Sequence, residues 1–461
     1  MRAFATALLA IAVTAGAGGE PATAAADWSV SGLRPVGQPI EAGGVAVAYV
    51  VRDRHLYAQG IRPGNGTIIW EREVTPSRQT VGIELTPHKV GDKVTFLEPR
   101  SQRGPQWASL VIVDAATGRV EQSSPPALFR TVPERCFDDR AACAMATTDA
   151  GGKMRGYRLD VATGAFTPYP VALPTTARVI GEAGLHDLGG RPDERIALVR
   201  DGAIRWQRPL TDAFPAGFST SNGWNWTHFR ADGVFAGSVF GPGERTATTV
   251  DFDLAPVSAS AGLDEKTGAV LWRDAGSVVA CAIGVPLPYE PVRCRVRGRE
   301  HVVFDPLQIT FEDLDVTLEG FDPRTGKTRW SVPAGASEQL AGGLERAAVA
   351  GEHTIVVELG SGHRMIDLTD GAVTVPRKDA TFWCLEVSRF TFHEGYAHPK
   401  GTAERFDREG GNIATACDAA GKPVGSGRPP AGASRAVGAV AGGYAVVATA
   451  DGYQGIALAG R

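Results

Sequence analysis

Apolar residues along this chain fall in short runs, alternating or continuous, broken by Gly, Pro, Asp and Asn. That period-2 pattern with frequent turn punctuation predicts short strands, not amphipathic helices. One local unit recurs through the chain: an apolar strand, then Asp-x-x-Thr-Gly or a relative, then a second strand often bearing Trp. The clearest copies are Leu263-Asp264-Glu265-Lys266-Thr267-Gly268-Ala269-Val270-Leu271-Trp272 and Phe321-Asp322-Pro323-Arg324-Thr325-Gly326-Lys327-Thr328-Arg329-Trp330. Looser copies run from Pro63 through Gly66 to Trp70, Asp114 to Gly118, Asp160 to Gly164, Asp201-Gly202 to Trp206, Asp367 to Gly371, and Asp418 to Gly421.

The chemistry of a hairpin turn explains the unit. The Asp carboxylate accepts hydrogen bonds from nearby backbone amides, the next residues take helical angles, and Gly supplies a left-handed position that bulkier residues resist. Eight such turns, with glycines 38 to 66 residues apart, predict successive four-stranded blades. The expected fold class is therefore all-β: a β-propeller of four-stranded antiparallel blades, eight by this count and seven if irregular copies merge. After Asp418 the chain carries Tyr444 to Ala448, an Asp451-Gly452 turn and Tyr453 to Leu458, one strand short of a blade. Trp28-Ser29-Val30 repeats Trp330-Ser331-Val332 near the other end, so the N-terminal strand is expected to complete that blade and close the ring.

The unit Leu-Asp-x-x-Thr-Gly-x-x-x-Trp resembles the repeat of pyrroloquinoline-quinone-like (PQQ-like) propeller proteins. The likeness is strong at 263–272 and 321–330 and loose over the rest of the chain. That family holds both quinone-dependent alcohol dehydrogenases and a non-catalytic propeller of outer-membrane protein assembly. The resemblance implies that Trp70, Trp206, Trp272 and Trp330 dock between neighbouring blades. It implies no quinone chemistry on its own, since the dehydrogenases use a disulfide of adjacent cysteines, a calcium set of Glu, Asn and Asp, and an Asp base. Here no two cysteines are adjacent, and no segment takes the calcium set or the base residue by residue.

Composition adds compartment and excludes partners. Residues 1–26 open with Met1-Arg2, continue through an apolar stretch from Ala3 to Ala17 and end in small residues, which reads as a secretory signal peptide cut near Ala24 or Ala26. An uncleaved anchor is the alternative. Residues 27–461 then form a single propeller domain. Six cysteines behind an export signal predict disulfides, paired as neighbours in sequence: Cys136 with Cys143, Cys281 with Cys294, Cys384 with Cys417. With 43% hydrophobic and 21% charged residues the chain supports a large folded core, and a net charge of −4 gives no field for nucleic acid or an anionic membrane. The expected setting is secreted, extracellular or associated with the cell envelope, as a monomer, and its Ala, Gly and Arg content suits a bacterial gene.

Candidate chemistry is sparse. His393 and His398 are five apart around Gly395 and before Pro399, whereas a zinc-protease helix needs histidines at i and i+4, so a surface loop is expected. Gly320 to Thr328 imitates a phosphate loop with one residue too many, inside a hairpin. Asp251 with Asp253 and Asp313 with Asp315 place two carboxylates on one strand face, read as solvated faces in preference to calcium ligands. The aromatic segment Phe214 to Phe229 falls in the longest interval between repeat glycines and is expected to project as an insertion. Trp224, Asn225, Trp226 and His228 are its candidate ligand-binding residues, with packing between blades as the competing role. Phe311 to Asp315 is a second candidate, as an acidic loop. The function these features point to is a non-enzymatic binding scaffold for a protein, peptide or cell-envelope ligand, with no cofactor expected. The alternatives are a PQQ- and calcium-dependent oxidoreductase and a carbohydrate-active propeller.

Overall fold

A computed structural model describes residues 26–458 apart from 78–84, 101–105, 137–139, 150, 170–172, 175–176, 190–192, 201–202, 282–289, 305–306, 343–347, 361, 393–405 and 426. Residues 1–25, Asp201-Gly202 and the His393 to His398 segment lie outside the described residues.

The chain folds as a β-propeller of successive antiparallel meanders. The first four sheets follow one another in sequence, beginning with Ile40–Ala42, Val45–Arg52, His55–Ile61 and Ile68–Val74. The fifth is Ser219–Phe229, Val234–Phe240, Ser258–Asp264 and Val270–Ala275; the sixth is built on Ser277–Val279, Val292–Phe304, Leu307–Phe321 and Thr328–Gly335. A ten-stranded path takes up the remainder. It runs from Val373–Thr374 at one end to Tyr444–Thr449, Gly452–Ala457 and Trp28–Ser31 at the other, the last paired antiparallel with Trp28 opposite Gly455.

The larger hydrophobic cores lie between sheets. Val47, Tyr49 and Ala58 of the first sheet pack with Val94, Phe96 and Val111 of the second. Ala46, Val50 and Ile61, on the opposite face of the first sheet, pack with Val446, Ala448 and Tyr453. A sheet buried on both faces needs apolar residues at consecutive positions, which is why Val45 to Val51 is an unbroken buried run.

The repeat turns behave as their chemistry predicts. In the copy at Asp322, one carboxylate oxygen accepts from the amides of Arg324 and Thr325 at 3.0 and 2.9 Å, and Gly326 takes φ +68°. A Cβ on Gly326 would lie 2.7 Å from the Trp272 indole of the preceding sheet, so Gly is required for space as well as for angle. The indole N–H in turn donates to the Pro323 carbonyl at 2.7 Å. Trp28, Trp70 and Trp206 donate likewise to Pro63, Ala115 and Glu265, each the second residue of the next turn. Trp330 packs over Gly371. The docking role implied for Trp70, Trp206, Trp272 and Trp330 is thus the observed one, and Trp28 shares it.

Three disulfides join Cys136 to Cys143, Cys281 to Cys294 and Cys384 to Cys417, as expected from sequence order.

Candidate functional site

Trp224, Asn225, Trp226 and His228 all lie on one strand, Ser219–Phe229, the first of the fifth sheet. The stretch that carries them is therefore not the projecting insertion that its position between repeat glycines suggested: Trp224 to Phe229 pair with Val234 to Val239, and the register shifts only before them, between Ser219 and Trp224. Their surroundings differ. Trp226 is 6% exposed, sits over Gly237 and meets Phe214 edge-on at 5.9 Å. His228 is buried and stacked on Phe235, with Nε2 3.3 Å from a Glu265 carboxylate oxygen, and Glu265 is paired with Arg200 at 2.6 Å. Burial lowers the His228 pKa against the opposing pull of Glu265. Asn225 donates to the Val279 carbonyl of the sixth sheet at 2.9 Å, whereas Trp224 is 40% exposed.

The true insertion follows, between the second and third strands of the same sheet. Its strands Glu244–Arg245 and Thr249–Asp253 leave the fifth sheet and pair with the sixth, where Thr249–Asp253 lies against Arg299 to Val303. The central hairpin of the sixth sheet is long enough to receive them, its strands running 13 and 15 residues. A bulge separates blade from extension: the register shifts between Arg297 and Arg299, with Gly298 at φ +109° and Asp313 at φ +51°. Beyond it a four-stranded arm extends from the blade. Phe311 to Asp315 belongs to a strand of this arm and is not a loop, because its backbone is paired with Arg297 to Glu300. Asp251 is held by His301 at 2.6 Å, and the Arg245 guanidinium lies over Phe304 at 5.0 Å.

At the foot of the arm is a cavity of about 330 Å³, walled by Phe240, Phe252, Leu254, Val257, Val296 and Leu340. Asn222, Asn225 and Glu300 bring polar atoms to it. The Glu300 side chain makes no hydrogen bond or ion pair among the described residues, and burial pushes its carboxyl pKa up. An apolar chamber with one poorly solvated acid suits a ligand with an apolar body and a cationic or hydrogen-bonding head. Sequence inspection missed it because its walls come from six separate stretches; the longest gap between repeat glycines was the one available signal, and it pointed to the interval that supplies three of them.

Charge elsewhere in this region is spent on joining sheets. Arg293 is 3% exposed and bridges Glu319 at 2.9 Å and Asp274 of the fifth sheet at 3.0 Å, with Arg295 completing the group. Burial alone would raise the Glu319 carboxyl, but Arg295 and Arg293 outweigh it and hold its pKa low. Among the described residues no three His, Cys, Asp or Glu side chains are grouped to hold a metal ion. The three disulfides link cysteines 7, 13 and 33 apart, so none of them is the adjacent-cysteine ring that the resemblance to the quinone dehydrogenases would imply.

No family model matches the chain, and no curated protein matches it. Among solved structures it is similar to BamB from Moraxella catarrhalis, at 14% identity over 78% of this chain and 96% of that one, with a TM-score of 0.35. It is similar to a europium-containing methanol dehydrogenase at 11% identity over 78% and 84%, with a TM-score of 0.39. An uncharacterized protein, lmo1340 from Listeria monocytogenes, matches at 10% identity over 75% and 94%, with a TM-score of 0.37.

Proposed function

We propose that this chain is an exported, non-enzymatic propeller that binds a protein, peptide or cell-envelope ligand at the arm of the sixth sheet, with an apolar group of the ligand seated in the cavity beneath it. In this reading residues 1–26 are a leader, 27–461 form one ring of eight blades closed by Trp28–Ser31, and the protein acts as a monomer without nucleic acid or cofactor. The observation that carries it is the arm itself. Four strands complete a blade, yet this one gains two strands from its neighbour and roofs a chamber with an unpaired acid. Elaborations on a rigid ring are where binding residues concentrate. Trp224, exposed on the strand that carries Asn225, is the aromatic best placed to extend that surface. All six cysteines are in disulfides, which supports an extracellular or periplasmic setting. No described helix is long and apolar enough to cross a membrane.

Calorimetric titration with phenylalaninamide, an apolar ring bearing an ammonium group, tests the chamber. Saturable binding is expected, lost in Val296→Trp and weakened roughly tenfold in Glu300→Gln. Titration of the same protein with pyrroloquinoline quinone and calcium, followed by dye-linked alcohol oxidation, tests the non-enzymatic reading. Calcium-dependent binding with turnover refutes it.

A further inference from the structure

Six repeat turns are each covered by a side chain from a neighbouring sheet. A Cβ on Gly66, Gly118, Gly164, Gly268, Gly326 or Gly371 would lie within 2.7 Å of Trp28, Trp70, Gln122, Trp206, Trp272 or Trp330 in turn. The turn Asp418 to Gly421 is built the same way and is bare. Asp418 accepts from the amides of Ala420 and Lys422 at 2.9 and 3.0 Å, and Gly421 takes φ +77°. Yet a Cβ on Gly421 would meet a single atom within 4 Å, the Cys384 sulfur at 4.0 Å. Among the described residues no hydrogen bond reaches the carbonyl of Ala419, the second residue of this turn.

The strand placed to supply the cover is cut short. Trp70, Trp272 and Trp330 each stand four residues after the turn glycine of their own sheet, on strands of 7, 6 and 8 residues. Four after Gly371 is Val375, which is 69% exposed, and the strand before it, Val373–Thr374, has two residues. Pro376 follows, with no N–H for a ladder bond. Two openings result. A cleft of about 420 Å³ lies beside the turn, bounded by Ala419, Ala420 and Gly421 and by Ala348 and Val356. Next to it, only Met365 and Ile366 of the strand Gly362–Asp367 pair with Val373–Thr374, so Gly362 to Arg364 have no strand on that side among the described residues. His363, in that free stretch, also lines the cleft. Met365 stands where Gly60, Gly262 and Gly320 lie under the other indoles. It packs in the cluster of Ala348 and Val356, leaving the turn bare, and a thioether there is a soft floor for an aromatic ring.

We propose that this gap is a docking socket for a tryptophan on an extended segment of a partner protein. The segment pairs with the free edge at Gly362 to Arg364. Its indole enters the cleft against Val356 and Gly421 and donates its N–H to the Ala419 carbonyl. The occupant's chemistry is read from the molecule itself, where five of the six covered turns are covered by an indole. An open strand edge beside a pocket for one side chain is a recurrent way of recognising extended peptides. The socket is separate from the chamber under the arm and does not depend on it.

The test is calorimetric titration of the purified protein with the acetylated and amidated peptide Thr-Val-Trp-Val-Thr. Saturable binding at one site is expected. It should weaken roughly tenfold when Leu replaces the peptide's Trp, and roughly fivefold when that Trp is methylated on the indole nitrogen and has no N–H to donate. N-acetyltryptophanamide, which has the ring without the strand, should bind roughly tenfold or more weakly than the peptide. Ala420→Trp, at an exposed position on the cleft wall, is expected to abolish peptide binding with Tm unchanged. The peptide series needs no variant of the protein, so it stands even if Ala420→Trp is unstable. Absence of saturable binding, equal affinity for the Leu peptide, or binding untouched by Ala420→Trp overturns the proposal. N-acetyltryptophanamide binding as tightly as the peptide overturns it in favour of a small-molecule indole site. Binding lost in Val296→Trp and kept in Ala420→Trp overturns it in favour of the chamber under the arm.

Discussion

Trp272, on the outer strand of the fifth sheet, and Gln122, on the outer strand of the second, occupy equivalent places and meet equivalent turns. Trp272 is buried over Gly326 and donates its indole N–H to the carbonyl of Pro323. Gln122 lies against Gly164 and donates its amide to the carbonyl of Val161 at 3.1 Å, with Ala162 as a second acceptor. Pro323 follows Asp322 as Val161 follows Asp160. The shared feature is thus a donor aimed at the second carbonyl of the next turn, not the indole. The aromatic ring adds buried area to that donor, and the amide does not.

The contrast can be broken experimentally. Trp272→Ala, measured by denaturant unfolding, is expected to cost about 3–5 kcal/mol, as for other buried Trp truncations. Gln122→Ala should cost about 1 kcal/mol, the value of one hydrogen bond. The third sheet, which receives Gln122, carries the Cys136–Cys143 bridge. Replacing both cysteines with Ser should cost about 2.5 kcal/mol from the entropy of so short a loop. Gly326→Ala forces a Cβ into left-handed backbone against the indole and should cost about 2 kcal/mol. Gln122→Glu is the sharpest test of the donor rule. An ionised carboxylate would face two carbonyl oxygens, so the variant should be about 1–2 kcal/mol less stable than the parent at neutral pH. Facing those oxygens raises the folded-state pKa of the new acid above its unfolded value. The deficit is therefore full above the folded pKa and should shrink as pH falls toward the ordinary carboxyl range near 4, where a protonated acid can donate. Pairing the pH profiles of the variant and the parent checks the sign.

The turns were legible in the sequence because their chemistry is local: Asp, Thr and Gly within five residues determine the geometry. The tryptophans were legible through the repeat they belong to. Gln122 was not, since nothing near it in sequence marks an amide as the counterpart of an indole. Trp226 and His228 looked like a binding cluster because aromatic density does not tell which face of a strand is buried. Their neighbours Phe214, Gly237 and Phe235 decide that, and these are brought there by folding. The arm escaped notice for a related reason. Its strands belong by sequence to the fifth unit and by hydrogen bonding to the sixth, and no local pattern announces such a transfer.

The pairing of Trp28–Ser31 with Gly452–Ala457 sets a schedule for the newborn chain. Asp27 accepts a hydrogen bond from the Ala457 amide, 430 residues later. The earlier strand must wait, unpaired, until its partner some 430 residues later has been made, and such distant closures are slow. A chain cut short before residue 452 exposes a backbone edge that the finished molecule hides, which is the kind of feature that chaperones and proteases can detect. Joining the two ends in one sheet therefore works as a built-in completeness check: molecules that fail to finish remain visibly unfinished.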